Sequence, residues 1–353
     1  MAIREYDHPD FERARALQQR VGICDLHVDC IIQQQLFGYD IRKEHRRPMW
    51  GQRFIWHADI PRMIKAGYGG ACMGIHYWPF ESDRAWPSVS KQLDALDRLA
   101  ADDPRVMRVN APEDWDLARE RGLMGMAPGI EGAHLLGGRL HRVEALAARG
   151  AAYLTLAHFS KNSAATPSMG RGANEVEGLT GFGRELVAEL NRFGVAVDCA
   201  HVNTPGTLEI CKLSSAPVFC THTGVKAVRE HARNITDAEI DAIAATDGAI
   251  GLMFSRQFLA GGGLPATSET IADHIEHIIR RVGPRHVAIG SDFDGWVPIF
   301  KDQRDCLDIV KLTHILLQRG HSEEDVALML RGNALRVHKA VRAARTATPK
   351  AQG

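Results

Sequence analysis

The sequence predicts a single (β/α)8 barrel, an α/β fold of the TIM-barrel kind, on three observations. Eight short apolar runs alternate with amphipathic helical patterns, the alternation occupies one stretch of about 320 residues, and no glycine fingerprint of a dinucleotide-binding sheet follows the first run. Parallel strands covered on both faces read as near-continuous apolar runs and need helical crossovers between them. The expected strands cover 22–29, 70–77, 124–131, 152–158, 196–201, 217–222, 249–254 and 286–292. The expected helices cover 60–66, 88–101, 142–149, 181–193, 237–245 and 272–282, and a last one, 323–342, closes the barrel. Gly261-Gly262-Gly263, after the seventh strand, lacks the Lys-Ser/Thr of a phosphate-binding loop. With no internal repeat or linker-like stretch, one domain spans 1–353, with a core from about 20 to 340 and an Ala/Arg/Thr/Lys-rich tail from 343 that is expected to fray.

Composition narrows the function. The 43 basic and 43 acidic side chains cancel, so the electrostatic footprint of a nucleic-acid or anionic-lipid binder is missing. No apolar run approaches the roughly 18 residues of a membrane span, and the charged start does not resemble a secretory signal, so a cytoplasmic location is expected. Seven cysteines without a CxxC pair read as free thiols in a reducing compartment. The 17 histidines, about twice ordinary usage, are the one unusual count.

Their placement matters more than their number. A barrel builds its active site from the C-terminal ends of its strands. Strand one ends in His27-Val28-Asp29, strand three in Glu131, strand four in His158, strand five in His201, strand six in His222, and strand eight in Asp292 with Asp294 just beyond. Six of eight strands thus finish in a metal ligand or acid/base group. The H-x-D pattern alone is weak, occurring also as His8–Asp10 in the polar N-terminal segment and His57–Asp59, where Asp59 before Ile60-Pro61 reads as a helix N-cap. Only His27 and Asp29 lie in a strand, where residues two apart share a face.

The converging ligands are enough for two metals. His27 and Asp29 can hold one divalent ion, His201 and His222 a second, and Glu131 can bridge them. Imidazole with carboxylate suits zinc, and manganese or iron less specifically. Two ions roughly 3.5–4 Å apart would share a hydroxide at neutral pH. A lone histidine at a strand end is more often a hydrogen-bonded structural residue; one metal site is more economical than separate structural explanations at every strand end. His274 and His277, three apart on one helix, read as a polar face rather than ligands. His76, within strand two, and His134, after Glu131, read as supporting or structural groups, and Tyr77-Trp78-Pro79-Phe80 as a pocket wall or lid.

Gly22-Ile-Cys-Asp-Leu-His-Val-Asp29, His57-Ala-Asp-Ile-Pro-Arg62 and Gly129-Ile-Glu-Gly132 resemble motifs of the membrane (renal) dipeptidases, bacterial-type members included, within the metal-dependent amidohydrolases. So do Leu154-Thr-Leu-Ala-His158, Asp198-Cys-Ala-His201, Thr221-His222, Ala232-Arg-Asn234, Ile289-Gly-Ser-Asp-Phe-Asp-Gly295 and Arg331-Gly-Asn-Ala-Leu-Arg-Val337, in order along the chain. The resemblance implies a zinc-dependent dipeptidase with two Zn2+ per chain: His27 and Asp29 on one, His201 and His222 on the other, Glu131 bridging. It implies that His158 contacts the substrate and steadies the oxyanion, that Arg233 holds the substrate's terminal carboxylate, and that Asp292 moves a proton from the bridging hydroxide to the leaving amine, with Asp294 structural. It implies a small dipeptide as substrate, with a C-terminal residue of either hand, and a homodimer.

Three departures bear on the pocket. Val28 stands where the family often has Asn, the loop 159–170 lacks an expected Trp, and Trp78-Pro79-Phe80-Glu81 is unusual. Hydrolysis of N-acyl amino acids, lactams or lactones is therefore the alternative, and a catalytically inactive metal-binding scaffold a more distant one.

Overall fold

The computed structural model describes residues 5–46, 54–77, 79–261 and 266–347. Nine strands occur among them: β1 (Ile23–Val28), β2 (Tyr68–His76), β3 (Val106–Arg108), β4 (Met124–Glu131), β5 (Tyr153–Thr155), β6 (Ala196–Asp198), β7 (Phe219–Thr223), β8 (Ala249–Leu252) and β9 (Val287–Ile289). All pair in parallel in the order β2-β1-β9-β8-β7-β6-β5-β4-β3, and a β2–β4 pairing closes the ring. Eight strands therefore make the expected barrel.

The extra strand, β3, is too short and too half-buried to leave a sequence signal. β2 runs along one edge of β4 from Gly125 to Glu131, so β3 and β5 share the other edge in succession, β3 at Met124–Met126 and β5 at Gly129–Ile130. β1 and β4 are buried along their whole lengths, as strands covered on both faces must be.

Helices with sequence-encoded ends match expectation. Ile60–Ala66 starts on Asp59, whose carboxylate accepts the Arg62 N–H, and stops at Gly67 with φ of 91°. Gly181–Phe193 starts on Thr180, and Asp237–Ala245 on a Thr236/Glu239 capping box. The expected last helix is interrupted by a π-turn at Leu328–Gly332 between Glu323–Ala327 and Asn333–Ala343. Helices Glu12–Val21, Cys30–Phe37, Asp114–Glu120, Thr204–Leu213 and Ile309–Gln318 were not expected. Cys30–Phe37 begins directly after Asp29, which occupies the cap position yet makes no capping hydrogen bond, so the usual start signal is lacking. Among the described residues no helix is long and apolar enough to cross a membrane.

In the tail, the Thr346 and Ala347 N–H groups both donate to the Arg192 carbonyl, at 3.1 and 2.9 Å, while 348–353 lie outside the described residues. One expectation is corrected. His274 does not share a polar face with His277. It is fully buried, accepts the Val225 N–H at Nδ1 (2.8 Å) and donates from Nε2 to the Leu259 carbonyl (3.1 Å), whereas His277 pairs with Asp237.

Burial lowers His274 to about 4 and His338, which accepts the Trp115 indole N–H, to about 3. In the unfolded chain both titrate near 6.5. The stability they contribute is therefore complete above that value and is lost as pH falls towards the folded values, by up to about 1.4 kcal/mol per pH unit for each histidine. Urea unfolding should show a shallower acid-side loss of stability in the His274→Gln/His338→Gln double variant than in the unaltered protein; equal slopes would contradict this.

Candidate active site

The C-terminal ends of the strands converge on a cavity of about 630 Å³, lined by Asp29, His76, Glu131, His158, His201 and Asp292 among others. β1, β4 and β7 place His27, Glu131 and His222 directly, with Asp29 one residue past β1. β5, β6 and β9 stop earlier than expected, so His158, His201 and Asp292 each stand three residues beyond a strand end, on the loops. His201 and Asp292 hold left-handed backbone, with φ of 63° and 60°. Non-glycine residues take this conformation at a cost, and such strain concentrates at functional sites.

His27, Asp29, Glu131, His158, His201, His222, Arg233 and Asp292 are all buried, none more than 7 % exposed. All but Arg233 converge on Glu131 or on the His27–Asp29 pair. Glu131 Oε2 lies 3.7 Å from His27 Nε2 and 3.6 Å from His76 Nδ1. Glu131 Oε1 lies 3.0 Å from His201 Nε2, 3.3 Å from His222 Nε2 and 3.7 Å from His158 Nε2. His27 Nε2 is 3.4 Å from Asp29 Oδ1, and the Nε2 atoms of His201 and His222 are 2.9 Å apart. Asp292 offers an oxygen within 4.8 Å of ligand atoms of His27 and Asp29. Arg233 stands behind His222 and donates from Nη2 to its carbonyl at 2.9 Å.

These spacings fit divalent ions. Donors about 2.1 Å from a tetrahedral ion lie about 3.4 Å from one another. His27 Nε2 and Asp29 Oδ1 are buried without a hydrogen-bond partner, an expensive state that a cation would relieve. The far sides of two rings are anchored. The Tyr153 hydroxyl donates to the Leu26 carbonyl (2.9 Å) and so accepts from His27 Nδ1–H (2.7 Å), which leaves the Nε2 lone pair facing the cluster. Thr221 Oγ1 donates to Asp198 (2.8 Å) and accepts from His222 Nδ1–H (3.0 Å), with the same result.

The charges lead to the same conclusion. Burial pushes Glu131 up to about 8 and Asp292 up to about 7. Burial opposes charge on His27 as well, but the Asp29 and Glu131 carboxylates outweigh it and raise that ring to about 10. By themselves the side chains share protons; a bound cation would keep the acids ionised and the imidazole neutral.

Some supporting residues escaped the sequence. Tyr153 and Asp198 sit inside apolar runs; Gly129 stands opposite Tyr153, where a Cβ would come within 2.2 Å of its hydroxyl, and Asp198 is set by Thr155 and Thr221, which donate to it. The His76 ring faces Asp29 and Glu131, its Nδ1 at 3.9 and 3.6 Å from their oxygens. His57, Asp59 and Asp294 are structural: the Asp294 carboxylate accepts the backbone N–H of His57 (2.6 Å) and of Ala58 (3.2 Å). His8–Asp10 is an exposed local pair, and His134 pairs with Ser160 Oγ. Tyr77 and Phe159 line the cavity, while Trp78, Gly262 and Gly263 lie outside the described residues.

Gly74 makes room for the cluster, because a Cβ there would stand 1.8 Å from Asp29 Oδ1. Gly74→Ala should cost about 1–3 kcal/mol in urea unfolding and impair divalent-ion uptake by displacing Asp29. Unchanged stability and uptake would show that Asp29 is not confined there.

The sequence model of the membrane dipeptidase family, peptidase family M19, matches residues 11–352. Similar solved structures include the probable dipeptidase PvdM from Pseudomonas aeruginosa, 21% identical with a TM-score of 0.86, covering 96% of this chain and 100% of that one. A metallo peptidase from Rhodobacter sphaeroides, liganded with a phosphinate mimic of the dipeptide L-Ala-D-Ala, is 23% identical with a TM-score of 0.80, over 91% of this chain and 99% of its own. The dipeptidase AC, a metallo peptidase of family M19, is 24% identical with a TM-score of 0.80, over 91% and 98%. At such identities the structural likeness establishes the barrel, and the family match over nearly the whole chain carries the assignment: the chain belongs to the membrane dipeptidase family, peptidase family M19, and is a metal-dependent dipeptidase.

Proposed function

We propose that this chain hydrolyses the amide bond of small dipeptides at a two-zinc centre, with His27 and Asp29 on one ion, His201 and His222 on the other, and Glu131 between them. The observation that carries the reading is the division of Glu131, whose Oε2 faces the first pair and whose Oε1 faces the second. When bound, such ions polarise a carbonyl and lower the pKa of water to near neutrality.

The chain's own residues do the rest. His158 is buried, and burial holds it well below its usual value, so it works as a neutral N–H donor to the developing oxyanion rather than as a cation. Asp292, whose carboxylate lies within 4.8 Å of the ligand atoms of His27 and Asp29, is placed to take up a proton from the attacking water and return it to the leaving amine. Arg233, whose Nη2 is given to the His222 carbonyl, would offer its remaining guanidinium N–H groups to the terminal carboxylate of the substrate, which limits substrates to short peptides. The phosphinate on the Rhodobacter protein mimics the dipeptide L-Ala-D-Ala, and on that likeness we include dipeptides with a C-terminal D residue among the substrates of this chain.

Purified protein should contain about two zinc ions per chain and release ninhydrin-positive product from L,L- and L,D-dipeptides. Metal without dipeptide cleavage would shift the reading to N-acyl amino acids, lactams or lactones; absence of metal would end it. Glu131→Gln should lower kcat by more than the about 10–100-fold that loss of an outer-shell partner costs, with the fold retained. Wild-type turnover in that variant would contradict the bridging role. Arg233→Lys should lower kcat/KM by about 10–100-fold for free dipeptides and much less for their C-terminal amides. An equal loss on both substrates would assign Arg233 a structural role instead.

A further inference from the structure

We propose that His76 is a metal ligand, its Nδ1 completing the donor set that His27, Asp29 and Glu131 Oε2 present to one divalent ion. The inference rests on the two-ion reading above and adds an unequal partition of ligands between the ions.

Strand register places the ring. β2 and β4 pair without interruption from Gly70 opposite Gly125 to His76 opposite Glu131, so the two side chains leave the barrel rim side by side. His76 Nδ1 comes to 3.6 Å from Glu131 Oε2 and 3.9 Å from Asp29 Oδ1. His76, Asp29 and Glu131 offer ligand atoms that all lie within 4.8 Å of one another, and His27 stands 3.4 Å from the same Asp29 oxygen and 3.7 Å from the same Glu131 oxygen, four separations within about 0.5 Å of the about 3.4 Å edge between two ligands of a tetrahedral ion. His76 Nδ1, His27 Nε2 and Asp29 Oδ1 are all buried atoms without a hydrogen-bond partner, gathered around the same carboxylate oxygen.

The strand end is also pinned. The buried Gln92 side chain donates to the His76 carbonyl at 2.7 Å and accepts the His76 N–H at 3.3 Å. Both backbone groups are held while the ring nitrogen is left without a partner, the arrangement expected where a ring is kept for a ligand. Bonding to Glu131 is no substitute, since 3.6 Å exceeds hydrogen-bond length. Direct contact with substrate through Nδ1 is disfavoured because that atom is buried.

The ion near β1 thus has four protein ligands, two of them imidazoles, while the ion near β7 has three. A fourth protein ligand would make the first ion the more retentive of the two, and it would take the shared hydroxide by expanding to five-coordination. Zinc content and chelator competition test the assignment. His76→Phe should weaken one zinc by at least about 100-fold, beyond the about 10–100-fold loss expected from an outer-shell group. The same ion should be lost in His27→Ala, so His27→Ala/His76→Phe keeps one zinc, whereas His201→Ala/His76→Phe keeps neither. His76→Cys, which supplies a thiolate, should restore retention, and metal-stripped His76→Phe should melt with stripped wild type. Wild-type chelator midpoints in His76→Phe, a loss confined to the outer-shell range, failure of His76→Cys to rescue, or loss of the ion held by His201 would each overturn the proposal. Wild-type protein that binds no zinc would overturn the two-ion reading itself.

Discussion

The structure depends on one buried carboxylate. Glu131 ends a strand that is buried along its whole length, and its two oxygens face different sets of imidazoles. A carboxylate taken out of water needs compensation. Neither Arg233, turned to the His222 carbonyl, nor the His27 ring, itself raised to about 10, provides enough, and burial still pushes Glu131 up to about 8. Divalent cations resolve this conflict, and the orphaned atoms around Glu131 show where they would sit.

Much of the local structure yields to that requirement. Asp29 stands at the start of a helix without capping it, its carboxylate committed to the cluster. His201 and Asp292 hold left-handed backbone on loops, and Gly74 and Gly129 give up side chains so that Asp29 and Tyr153 can occupy the space. The barrel supplies the rigidity that makes these concessions tolerable, because eight strand ends fix the loops from below.

The fold and the candidate ligands were legible for the same reason. Buried parallel strands are written as apolar runs, and a polar residue closing such a run stands out, as His27, Glu131 and His222 do. Residues three past a strand end, such as His158 and Asp292, were legible because the apolar run continues beyond the hydrogen-bonded strand. The supporting shell was not: Tyr153 and Asp198 look like ordinary strand residues until Gly129 and Thr221 are seen beside them. His76 was visible but undervalued, since only the register of β2 on β4 sets it opposite Glu131. β3 and the helix 30–37 carried no signal, one for want of length and the other because its cap position serves the site.

The central claim, that Glu131 separates two ions, is tested most directly by anomalous diffraction from crystals grown with zinc. The account predicts two peaks roughly 3.5–4 Å apart, one beside each oxygen of Glu131. A single peak, or a pair not divided by Glu131, would contradict it.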